Sequence, residues 1–79
     1  MMYALRKARA AKLNKMLRDA GRPETEIVEA VKDVRPGVSH YTFDAEGGAS
    51  GFASYEHARQ FIEIYVHAWK MNNAMGAAQ

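Results

Sequence analysis

Three histidines, nine carboxylates and no cysteine bound the chemistry open to this 79-residue chain. His57 and His67 share one segment but stand ten positions apart, on different helix faces. The i, i+4 spacing of a helical metal site is therefore missing, and His40 falls on a strand. Ser39 adjoins His40, but neighbouring side chains on a strand point to opposite faces and cannot pair as nucleophile and base. Ser54, just ahead of His57, reads as a helix cap. Asp44 and Glu46 flank a turn, with no buried setting to raise a carboxyl pKa for acid–base work. The Gly47–Gly51 run could offer amides to an anion, but it lacks the closing Gly-Lys-Ser/Thr of a phosphate loop and reads as a hairpin loop. Without cysteine there is no disulfide scaffold, thiolate nucleophile or Cys-based zinc site, which fits a reducing compartment. These residues predict a protein that is not an enzyme, with no metal and no cofactor.

The elements that must position these side chains follow from periodicity. Residues 2–20 place Leu5, Leu13, Met16, Leu17 and Ala20 on one helical face. Gly21 and Pro23 then stop the helix. Arg6 and Arg9 sit at the edge of that apolar stripe, so they must snorkel or pair. Residues 24–34 carry Ile27, Val28, Val31 and Val34, a pattern that suits a helix or a strand. The strand is favoured, because an isolated hairpin is marginal in water and a third strand would support it. Arg35-Pro36-Gly37 is turn chemistry. Val38–Asp44 alternates, with Tyr41 and Phe43 on one face, and the chain returns over Ala49–Ala53 with Phe52 inward. From Ser54 onward, Ala58, Phe61, Ile62, Tyr65, Val66 and Trp69 form a full helical stripe, ending near Asn72 with 73–79 frayed.

The predicted fold is thus α+β, one small domain over residues 1–79. It has a helix, a three-stranded antiparallel sheet and a long C-terminal helix, with both helices on one sheet face. The alternative, with 24–34 helical, gives three helices and a hairpin. A folded chain of 8.8 kDa exposes about 4,800 Å² and buries only about 60% of its extended surface, so the core is thin. No apolar run approaches the ~18 residues of a membrane span. No apolar stretch follows the N-terminal charges to make a secretory signal.

The net charge of +2 hides an asymmetry. Residues 1–22 hold seven cations against one acid, and the remainder is net acidic. A basic helix face of Lys7, Lys12, Lys15, Arg18 and Arg22 could contact phosphates or an acidic protein. The acidic remainder (Glu24, Glu26, Glu29, Asp33, Asp44 and Glu46) could instead enter a basic groove that normally holds DNA. The last helix also carries a second apolar row, Ile64, Ala68, Met71 and Met75, beyond what one sheet needs. That row predicts a homodimer seam or a partner groove, unless the first helix covers it.

The helix–three-strand–helix order is shared with double-stranded-RNA-binding domains. Their lysine cluster would fall at Ser54–Arg59, where only Arg59 is basic. KLNKMLRDAG (Lys12–Gly21) is similar to the opening helix of many small prophage accessory proteins. YTFDAEGGASGFASYEHARQFI (Tyr41–Ile62) resembles the strand–turn–strand–helix end of small phage proteins, some anti-CRISPR proteins among them. The resemblance implies a non-enzymatic, stoichiometric binder of a protein or ribonucleoprotein complex, acting in the cytoplasm of a bacterial host. It carries over no individual site residue. A small nucleic-acid-binding protein that uses the basic helix is the alternative.

Overall fold

A computed structural model describes residues 2–77, with side chains through Asn73. The element order is α1 (Met2–Asp19), β1 (Ile27–Ala30), β2 (Tyr41–Ala45), β3 (Gly48–Phe52) and α2 (Tyr55–Ala77). The strands form one antiparallel sheet in the order β1-β2-β3. This is the α+β arrangement with a long C-terminal helix that the periodicity predicts.

α1 ends where the backbone requires it to end. Gly21 takes φ +84°, and the Arg22 and Gly21 amides donate to the Leu17 and Arg18 carbonyls at 2.9 and 3.0 Å. That pair of bonds satisfies carbonyls the helix itself leaves open. The chain turns again at once, with the Glu26 amide on the Pro23 carbonyl. Ile27–Ala30 then pairs antiparallel with Tyr41–Asp44, so the helical alternative for 24–34 does not form. The strand is also shorter than that segment. It covers only Ile27–Ala30, because the chain leaves the sheet toward the Pro36-Gly37 turn, where Gly37 holds φ +83°. At the other end, the Ser54 hydroxyl accepts from the His57 amide at 3.2 Å and caps α2.

One sheet face carries Val28, Tyr41 and Phe43, buried against Ala10, Leu13 and Leu17 of α1 and Ala58, Ile62 and Val66 of α2. Leu5, expected in the stripe, is exposed. The turn above the core is occupied by Arg6, whose guanidinium donates to the Val31 carbonyl at 3.0 Å and also reaches Lys32. Arg9 lies over the Tyr55 ring at 5.3 Å. Phe61 is also more exposed than its place in the α2 stripe suggests. It stands at the sheet rim, against Phe52 at 5.1 Å and Phe43 at 5.9 Å. α2 continues past the expected end near Asn72 to Ala77, and residues 78–79 lie outside the described part.

Candidate functional site

The residues expected to bind fall into three groups. Some are drawn inward, some stand on two charged faces, and some line an apolar ridge.

The inward group centres on Glu26, which is 2% exposed and so is no part of an acidic surface. Arg22 grips both its carboxylate oxygens, one through Nε at 2.8 Å. The Tyr65 hydroxyl donates to the same carboxylate at 2.7 Å. The Arg22 guanidinium also lies 4.2 Å from the Trp69 ring centroid, and Trp69 donates to the Ala20 carbonyl at 3.1 Å. Arg18 caps the Arg22 and Glu26 carbonyls. Arg22 and Arg18 are therefore spent on the fold rather than free on the basic face. The physical cause is that a carboxylate buried at the start of β1 requires a charged, hydrogen-bonded partner. Arg22 holds the Glu26 carboxyl below its ordinary value, while burial and then Glu26 push the Tyr65 hydroxyl up. This cluster joins the α1–β1 connection to α2. Its hydrogen bonds all run to partners within the chain.

The basic face that remains is the outer side of α1. Lys7 and Lys12 are exposed. Lys15 is exposed too, and its hydrogen bond to Asp19 at 2.8 Å raises its pKa. The second charged surface is the uncovered face of the sheet, which adjoins α1 along the β1 edge, where Lys7 and Glu29 line one open gap. The register sets Ile27 opposite Asp44 and Glu29 opposite Thr42. Glu29 and Asp44 are thus diagonal neighbours, about 7–8 Å apart. Glu46 lies in the hairpin turn beside them, while Glu24 and Asp33 sit in the flanking connections. All five are exposed and make no ion pair among the described residues. Arg59, the single cation near the start of α2, is held by Glu56 and Glu63.

The apolar row of α2 is uncovered. Ile64 is 70% and Met71 51% exposed, and Ala68 lies open between them. α1 does not pack over it. The Met75 side chain lies outside the described residues.

Among the described residues no three His, Cys, Asp or Glu side chains gather as a metal site. No described helix is long and apolar enough to cross a membrane. Between the β2–β3 hairpin and α2 lies an open cavity of about 370 Å³, lined by Phe43, Ser50, Phe61 and Tyr65 among others. No protein-family model, curated protein or solved structure matches the chain.

Sequence reasoning missed the Arg22–Glu26–Tyr65–Trp69 cluster. The i, i+4 spacing of Arg22 and Glu26 was visible, but nothing local marked the turn that folds them inward. It also missed Asn14, whose side chain bonds both the amide and the carbonyl of Val28.

Proposed function

We propose that this chain is a non-enzymatic binding protein of the phage or mobile-element kind, acting stoichiometrically in the cytoplasm of a bacterial host. Its target is a protein or ribonucleoprotein complex with a basic groove for nucleic acid, as for an anti-CRISPR inhibitor that blocks DNA recognition by an effector complex. The supporting observation is the outer sheet face. Glu29 and Asp44 are fixed close together on paired strands, with Glu46 beside them and no neutralising cation in the sheet. Like charges held side by side repel, and a cationic groove relieves that repulsion while steering the encounter.

The test is to titrate the protein into purified CRISPR effector complexes with labelled target duplex. Loss of duplex capture at one equivalent is expected, and Glu29→Lys with Asp44→Lys should abolish it. Undiminished capture across the panel, or a block that survives the charge reversal, would overturn the reading.

A second reading is favoured by the exposed Lys7, Lys12 and Lys15 on α1, which could contact the phosphates of a duplex. Three phosphate contacts give a salt slope of only about −2.7. Direct binding of a mixed-sequence duplex with that slope, weakened by Lys12→Glu with Lys15→Glu, would select it.

A further inference from the structure

The two edges of the sheet are finished differently, and the unfinished one lies on the same side as the apolar row. At β1, the Asn14 side chain donates to the Val28 carbonyl at 2.9 Å and accepts from the Val28 amide at 2.7 Å. It satisfies the outer edge as a neighbouring strand would, and α1 covers the position. β3 has no such cover. It reads Gly48-Ala49-Ser50-Gly51-Phe52, without the charge or proline that normally blunts an exposed edge. Hydrogen-bonded pairs alternate along an antiparallel ladder. Because Val28 bonds outward to Asn14, Phe43 turns toward Ser50, so Ala49 and Gly51 present their amides and carbonyls outward.

The apolar row of α2 flanks this edge. α2 meets α1 through Tyr55 and Trp69, and meets the β3 side through Phe61. At about 100° per residue, Ile64, Ala68 and Met71 project from the side of α2 turned away from α1. The charged residues of this stretch, Glu63 and Lys70, lie off the row. A self-complementary contact there sets no charge against its own copy.

We propose that this side is an interface with a second copy of the chain. In it β3 pairs antiparallel with its copy about Ser50, and α2 packs on its copy about Ile64. The result is one continuous six-stranded sheet with four helices on one face. Two dimensions fit this occupant. The chain exposes 5568 Å², against about 4,800 Å² for a compact chain of this mass. The excess matches the roughly 800 Å² that each partner contributes to a standard interface. The radius of gyration is 13.6 Å, where about 11.6 Å is ordinary, and the molecule measures 48 × 21 × 20 Å. The elongation is that of α2, whose 23 residues span about 34 Å. A second copy would cover the exposed length. This inference does not depend on the charged-face reading.

Sedimentation equilibrium over a concentration series tests it, using the whole chain. The wild type should approach twice the chain mass and go no higher. Ile64→Glu, at an exposed position, should raise the dissociation constant at least about tenfold. Ala49→Pro removes an outward edge amide, a change edge strands accept, and should do the same with an unaltered circular dichroism spectrum. A single-chain mass up to about 1 mM, growth beyond the dimer, or a dimer indifferent to either variant would overturn the proposal.

Discussion

At the β1 edge, Asn14 and Arg6 close the sheet with side-chain hydrogen bonds, and Arg22 and Glu26 lock the adjoining turn to α2. At the β3 edge, the strand is built of small residues, its outer amides face away from the chain, and α2 leaves Ile64 and Met71 uncovered. One flank directs its polar groups inward and the other directs apolar and backbone groups outward. The difference teaches where to expect consequences. Substitutions on the closed flank should cost folding, whereas substitutions on the open flank should cost association.

The largest effect is expected from Glu26→Ala. Removing one partner of a buried ion pair strands the other, and Arg22 keeps only 17% of its side chain exposed. A loss of about 3 kcal/mol is predicted in urea unfolding, a large fraction of what so small a domain has. The same pair sets an acid dependence. Arg22 depresses the folded-state pKa of Glu26, so its contribution is complete above the ordinary carboxylate value, about 4.3, and is lost as pH falls through the folded value. Glu26→Gln should flatten that part of the stability–pH curve. An unchanged acid slope would show that the cluster does not secure this flank.

Asn14→Ala should cost about 2 kcal/mol, because it strands the amide and carbonyl of the buried Val28. It should also make the β1 edge resemble the β3 edge, with faster amide exchange at Val28. The smallest effect on stability belongs to Ile64→Glu, within about 0.5 kcal/mol for the isolated chain. A large loss there would mean that Ile64 serves the core, and the contrast between the flanks would fail.

The sequence made much of the fold readable, for local reasons. Gly21 before Pro23, the Ser54 cap and the helical stripe of α2 are short-range signals, and each lies where the structure puts it. Residues 24–34 carried two periodicities at once. Only the pairing of Ile27–Ala30 with Asp44–Tyr41, a long-range fact, selects the strand. The candidate faces were less legible. Lys7, Lys12, Lys15 and the outer carboxylates were identifiable from charge alone. The inward turn of Arg22, Arg18 and Glu26 depends on a tertiary partner, Tyr65, that lies 39 positions beyond Glu26. Asn14 was a polar residue within a helical pattern, and its role exists only once β1 lies beside α1.

Amide hydrogen exchange at Ala49 and Gly51, set against Val28 and followed over a range of protein concentrations, tests the contrast most directly. The account predicts slow exchange at Val28 throughout. Protection at Ala49 and Gly51 should appear as concentration rises and disappear in Ile64→Glu. Rapid exchange at Ala49 and Gly51 at every concentration, or protection that Ile64→Glu leaves intact, would contradict it.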